Sequence, residues 1–356
     1  MNENHPRYFA AQNTTKGFYS YFTEIFDPDR LSRIFIIKGG PGTGKSGIMR
    51  SVAALAEEAG EKVERYYCSS DPNSLDGIIL PESGSAILDG TSPHTRDPIY
   101  PGAVDRIINT GAYWDISALM KHKSEILSLI REGKRQYKRA YGFLNAAGEI
   151  LLEMQRIASK NLNVEKIDEQ IRRLGNKIFQ NKEEGLQTIR AISTFNSSGL
   201  SRQPGSINSS KKVWLIRDAY NIAPIFLEKL SQYAQSEKQS FIYCPSCLYP
   251  DKPDALFFSH SGAAFIPECD EYTDLIKGKE IHILNMHRFI SEGEIRSNRQ
   301  KMKFGKRCVD SLFIGATEAF SEAADTHAKL EKIYTSAMDF TGVNLEIRKI
   351  VQEILR

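Results

Sequence analysis

Cysteine is scarce in this chain. Five occur among 356 residues, Cys68, Cys244, Cys247, Cys269 and Cys308, an odd number at scattered positions, which excludes the disulfide framework of a small secreted domain. Metal-ligand spacing is equally thin. CPSC at Cys244 to Cys247 is the one CxxC, and Cys269, His260 and His282, the residues at hand to complete a site, lack a second paired spacing; reduced, buried thiols are the expectation. No run approaches 18 apolar residues, and the polar start MNENHPRYF has no hydrophobic stretch behind it. Membrane spans and a leader are therefore not expected, and the expected compartment is the cytoplasm. The net charge of +3 says little about polyanion partners. An aromatic single-strand platform and an NKxD-type guanine-reading sequence are also missing, so nucleic acid is an unlikely ligand and ATP is favoured over GTP.

What is present begins with RIFIIKGGPGTGKS over residues 33–46. An apolar, β-branched run suited to a buried strand leads into a glycine-rich turn, then Lys45, Ser46 and a segment of helical composition from Ile48 to Ala59. Strand, loop and helix in that order are the setting of a phosphate loop. Gly39, Gly40, Pro41, Gly42, Thr43, Gly44, Lys45, Ser46 and Gly47 are the expected nucleotide-binding residues. Glycines let backbone amides approach a triphosphate closely. The helix start adds a positive dipole end, Lys45 reaches the β- and γ-phosphates, and the Ser46 hydroxyl suits Mg²⁺.

The chain also repeats itself. IFIIKGGPGTGKS and the 35–68 stretch align with WLIRDAYNIAPIFLEK and its sequel, placing Cys68 on Cys244; SGSAIL at Ser83 falls on SGAAFI at Ser261, DRIINTGAYW at Asp105 on EIHILNMHRF at Glu280, and FLNAAGEILLEMQRI at Phe143 on FSEAADTHAKLEKI at Phe320. Four blocks in one order indicate duplication. The fold class expected is α/β, two tandem P-loop NTPase-like parallel-sheet domains, each with a long helical hairpin. Strands are expected at 33–37, 63–68, 85–89 and 106–109, and again at 213–217, 240–244, 263–266 and 281–284. The first domain is placed at 1–195 with its hairpin at about 117–183, a mobile linker at 196–212, and the second domain at 213–356 with its hairpin at about 303–356. A break is expected near 161–163, after which Ile167, Ile171, Leu174 and Ile178 form a stripe for a partner helix. RYFAAQNTTKG at Arg7 resembles RAISTFNSSG at Arg190, which suggests that the N-terminal segment supplies the last strand of the second domain.

Comparison of the halves separates their chemistry. Opposite Gly39 to Ser46 stand Asp218, Ala219, Tyr220, Asn221, Ile222, Ala223, Pro224 and Ile225, without the glycines, the lysine or the Ser46 hydroxyl, and with Asp218 placed to repel a phosphate. Asp89 ends the strand SAILD as a Walker-B acid would and joins Ser46 as an expected Mg²⁺ ligand. Asp71, in CSSDPNSLDG, suits a base toward the nucleophile or an Asx-type turn; Asp76 and Glu82 are weaker candidates. DGTSPHTRDP offers Thr91, His94 and Arg96, with His94 in reach of a γ-phosphate. REGKRQYKR, from Arg131, reads as a lid, an anionic contact or a solvated face.

The segments FAAQNTTKGFYSYF from Phe9, KGGPGTGKS, CSSDPNSLDG and AILDGTSPH to YPGAV resemble a bacterial family of tandem-repeat P-loop ATPases within the P-loop NTPase superfamily, over the full length and more loosely after Leu200. The resemblance implies ATP binding by Gly42, Gly44, Lys45 and Ser46, with no established substrate. Members of that family keep a recognisable phosphate loop in the second half; this chain departs from them at Asp218 to Ile225. The function expected is a Mg²⁺-dependent ATPase with one active site, Lys45, Asp71 and Asp89 carrying catalysis. A phosphotransferase acting on a small molecule or nucleotide, and a nucleotide-gated module that holds a protein partner, are the alternatives.

Overall fold

The computed structural model describes residues 5–179 and 184–354. The first half runs β1 (Arg7–Phe9), β2 (Ala11–Thr14), β3 (Gly17–Ser20), α1 (Phe22–Ile25), β4 (Arg33–Lys38), α2 (Lys45–Glu58), β5 (Glu64–Tyr67), β6 (Leu75–Leu80), β7 (Ser85–Asp89), β8 (Asp105–Asn109), α3 (Ile116–Lys121), α4 (Lys123–Ser159) and α5 (Val164–Ile178). The second half repeats most of this order with β9 (Gln187–Ile189), β10 (Ser193–Asn196), β11 (Gly199–Arg202), β12 (Lys212–Arg217), α6 (Ala223–Ser236), β13 (Phe241–Pro245), β14 (Pro253–Phe258), β15 (Ala263–Pro267), β16 (Glu280–Asn285), α7 (Glu292–Ser336) and α8 (Phe340–Ile354).

Two six-stranded sheets result, ordered β1-β5-β6-β7-β4-β8 and β9-β13-β14-β15-β12-β16. Every strand position expected from sequence is occupied. The sheets are mixed, however, rather than all parallel: β6 runs antiparallel to β5 and β7, and β14 antiparallel to β13 and β15. LDGIIL, which forms β6, is not among the strands expected from sequence, and it carries Gly77 within its apolar run. The glycine is there because the Phe26 ring lies over it, where a Cβ would come within 2.3 Å of Cζ. In β14 the proline occupies the first strand position, which sheets tolerate.

The edge strands correct two further expectations. β1 pairs in parallel with β5 of its own half, and β9 with β13 of the second half. Each sheet thus takes its edge strand from the segment preceding it, and the N-terminal segment does not complete the second sheet. It does touch that half, through Phe9 N to Ala191 O (2.8 Å) and paired amides between Arg7 and Gly205. Residues 196–212, expected to be a mobile linker, carry β11 and end in a turn where Ile207 is fully buried. The serines and asparagines that suggested mobility hold local turns; Asn196 Oδ1, for instance, accepts from Ser198 N and Ser201 Oγ.

Alternation along the central strands assigns the faces. Ile34 and Ile36 of β4 and Val213 and Leu215 of β12 enter one core shared by both halves, whereas Phe35 and Ile37, or Trp214 and Ile216, face outward layers of helices. Those outer layers are exchanged. The α5 stripe Ile167, Ile171, Leu174 and Ile178 packs with Phe226 and Leu230 of α6, on the second half, while Val343, Ile350 and Ile354 of α8 pack with Ile48, Met49 and Val52 of α2, on the first.

The crossing is made by the two long helices, which lie antiparallel: Ala140 and Leu144 of α4 meet Ala316 and Phe320 of α7, and Gly305 admits Met154. Main-chain pairs fix each tip onto the opposite half, Asn163 N to Phe289 O (2.8 Å) and Asp115 N to Ala337 O (2.7 Å). The hairpins therefore pack together, and their short arms change places. The basic stretch of α4 lies in this crossing, where Arg139 pairs with Glu322 of α7 and Arg135 with Glu132. No helix among the described residues is long and apolar enough to cross a membrane.

Exchange makes α8 part of the first half's core. Ile350 is fully buried there, so Ile350→Ala should lower the unfolding free energy by about 2–5 kcal/mol in urea titration; a loss below about 0.5 kcal/mol, the range of a surface change, would show that α8 does not belong to that core.

Candidate functional site

The glycine-rich loop sits where the topology exposes backbone donors. β4 is flanked by β7 and β8, both parallel to it, and ends at Lys38. Gly42 (φ +68°) and Gly44 (φ +80°) then turn the chain through the left-handed region, and α2 begins at Lys45 with Gly44 as its cap residue and no side chain capping its first amides. Thr43 Oγ1 ties the loop to itself by donating to Gly40 O (2.9 Å). Lys45 Nζ is folded back onto the loop, donating to Gly40 O (2.7 Å) and Gly39 O (3.3 Å), and lies 3.5 Å from Asp89 Oδ2.

Asp89 is held in turn by Thr91, whose amide (2.9 Å) and hydroxyl (2.5 Å) both donate to Oδ1. That leaves Oδ2 toward the lysine. Ser46 Oγ accepts the Leu75 amide at 2.9 Å, which ties the loop to β6. The fold thus brings Lys45, Ser46 and Asp89 together at one sheet edge. Asp71 stands apart from them: it is exposed, and its Oδ1 accepts Asn73 N (3.0 Å) in an Asx turn. His94 is buried against Asp76 rather than offered to the loop.

The loop has a roof that local sequence did not disclose. A Cβ on Gly42 would lie 2.4 Å from Thr335 Oγ1 and 2.8 Å from Glu331 O; one on Gly40 would lie 3.1 Å from Trp114 and 3.3 Å from Tyr334; one on Gly44 would meet Phe340. The last turn of α7 and the first of α8 therefore rest on Gly40 to Gly44, with Thr335 Oγ1 donating to Gly42 O (3.4 Å) and the Trp114 and Tyr334 rings 5.6 Å apart. The negative end of the α7 dipole closes over the positive end of α2.

The second half solves the same backbone problem with a side chain. Asp218, at the position of Gly39, accepts from Ala223 N (2.7 Å) and Tyr220 N (3.0 Å) inside its own loop. Burial pushes its carboxyl above the usual carboxylate range, against the pull of amides from Ala223, Tyr220, Ile222 and Asn221. The carboxylate occupies the amides that an anion would need. The α4 tip covers this loop as α7 covers the other, through Gln155 Nε2 to Asn221 O (2.6 Å).

The CPSC cysteines do not form a metal site with their expected companions. Cys244 is buried in the shared core and Cys247 in the packing of the long helices, and burial pushes the Cys247 thiol up to about 12.

Asp218→Ala should cost about 1–3 kcal/mol of stability in chemical denaturation because two part-buried amides lose their acceptor, and Asp218→Asn, which keeps a carbonyl oxygen, should cost less. Equal stability of Asp218→Ala and the parent chain would show that the carboxylate does not hold this loop.

No family model, curated protein or solved structure matches this chain, so the chemistry of its loop is read from its own atoms.

Proposed function

We propose that this chain is a Mg²⁺-dependent ATP-binding protein and ATPase with one working site, the loop Gly39 to Gly47, and a second half that binds no nucleotide. One observation carries the reading: an uncapped helix start behind two left-handed glycines, with an ammonium group and a carboxylate 3.5 Å apart beside it. Such amides are a ready anion site. The fit extends to the glycines, since side chains at Gly39 and Gly42 would strike neighbouring atoms.

In this reading the loop amides hold the phosphates and Lys45 leaves the Gly39 and Gly40 carbonyls to meet the terminal phosphates. Ser46 and Asp89 would hold Mg²⁺, which supplies charge neutralisation on the phosphate oxygens. Asp89 keeps its orientation through Thr91. Asp71, exposed on a turn next to β6, is placed to orient the nucleophile only if that turn closes over the ligand. Asp218 fills the corresponding loop of the second half with the protein's own negative charge, which is why a single site is proposed.

The roof favours a gated form of this activity. Thr335, Tyr334 and Phe340 rest on the loop that would receive the phosphates, so nucleotide entry displaces the turn between α7 and α8. Since α8 is bonded into the first half's core and α7 runs along α4, that displacement is felt along the whole helical crossing, the surface on which a partner protein would sense it.

Lys45→Ala should abolish Mg²⁺-dependent phosphate release and weaken ATP binding in calorimetry by at least about tenfold, the equivalent of about 1.4 kcal/mol. Parent protein that takes up no ATP under Mg²⁺ would end the proposal. For the gate, hydrogen exchange at residues 331–343 should quicken when ATP is saturating; protection that stays the same or rises there would place the roof outside the nucleotide's path.

A further inference from the structure

A second cluster of reactive side chains lies behind the same sheet edge. Cys68 follows β5, Asp76 lies on β6 and His94 on the segment after β7, and one donor atom from each, a sulfur, a carboxylate oxygen and an imidazole nitrogen, lies within 4.8 Å of the other two. Asp76 is 4 % exposed and His94 6 %. The imidazole is clamped by rings, stacked on Phe22 at 4.6 Å and tilted against Phe18 at 5.3 Å.

Two buried polar atoms of this cluster are not satisfied by the protein. His94 Nε2 lies 3.1 Å from Asp76 Oδ2, yet Asp76 Oδ2 and His94 Nδ1 are both buried without a hydrogen bond. Buried polar atoms are almost always partnered, and exceptions call for an ion or another occupant. A simple histidine–aspartate ion pair would leave His94 Nδ1 stranded.

We propose that Cys68, Asp76 and His94 form a metal site for Zn²⁺ or a similarly borderline-soft divalent ion. Thiolate, imidazole and carboxylate are the donors that Zn²⁺ takes, and three of them leave a fourth tetrahedral position for water or another ligand. Thiolate and carboxylate together neutralise a dication, and the displaced thiol proton passes to solvent. Arg96, also buried and on the same segment, turns Nη1 to Phe22 O (3.5 Å). The ion would join β5, β6 and the segment after β7. Leu75, whose amide holds Ser46 Oγ, immediately precedes Asp76, and Asp89 lies five residues before His94, so the metal would brace two walls of the glycine-rich loop. The site stands independently of the nucleotide reading.

The full chain, purified without chelator, should carry about one zinc per molecule by elemental analysis. After chelation, titration with Co²⁺ should produce a near-ultraviolet thiolate-to-cobalt absorption, and added Zn²⁺ should raise the melting temperature. Cys68→Ser should lose that absorption, and His94→Gln should weaken Co²⁺ binding by at least about tenfold; Cys308→Ser should keep both. Parent protein that retains no metal and shows no cobalt–thiolate band, a result that needs no variant to fold, would overturn the proposal. A band that persists in Cys68→Ser would overturn it as well.

Discussion

Neither half of this molecule completes its own outer helical layer. The outward faces of β4 and β12 need a helical layer beyond α2 and α6, and in both cases the helix that completes it comes from the other half of the chain. Burial of apolar surface is the main favourable term in folding, so the crossing of α4 and α7 is the constraint on which the rest depends. It sets where the tips land, and both land on the edge from which the central strand runs into a helix.

That placement gives the two loops opposite solutions to one requirement. A tight strand-to-helix turn presents unpaired amides, and those amides must find acceptors. In the second half Asp218 satisfies them permanently. The first half has no acidic side chain in its loop; the carbonyl end of α7, the Thr335 hydroxyl and the folded Lys45 surround the turn instead. The α7 contacts join elements far apart in sequence, and they can part without unfolding either sheet.

Much of the architecture was legible in the sequence because it depends on short-range pattern. The β4 strand, the loop and α2 announced themselves through a β-branched run, closely spaced glycines and a helical stretch. The break after α4 was visible at Asn161 to Asn163, where Asn163 Oδ1 caps α5. The duplication located the second set of strands. What escaped notice depends on distance. Gly77 in β6 reads as loop until Phe26 is seen above it, and Pro253 obscures β14 in the same way. The edge strands β1 and β9 are three residues each, too short for any periodicity. The stretch from 196 to 212 has the composition of a linker, and only burial against both halves shows otherwise. Trp114, Tyr334 and Thr335 gave no signal at all, since they meet Gly40 and Gly42 only across long stretches of chain, 293 residues between Gly42 and Thr335. Asp71 and Asp89 illustrate the same limit at the site: one lies just after β5 and the other ends β7, but the Asp71 carboxylate turns to its own backbone and only Asp89 reaches Lys45.

The exchanged arms have the geometry of a two-fold dimer in which each subunit lends a helix to its mate, here written into a single polypeptide. In a true dimer every change to one subunit appears twice, and both strand-to-helix turns must remain alike. Covalent fusion lifts that obligation. One turn can be sealed by an aspartate while its twin stays open, and a symmetric scaffold becomes a molecule with a front and a back.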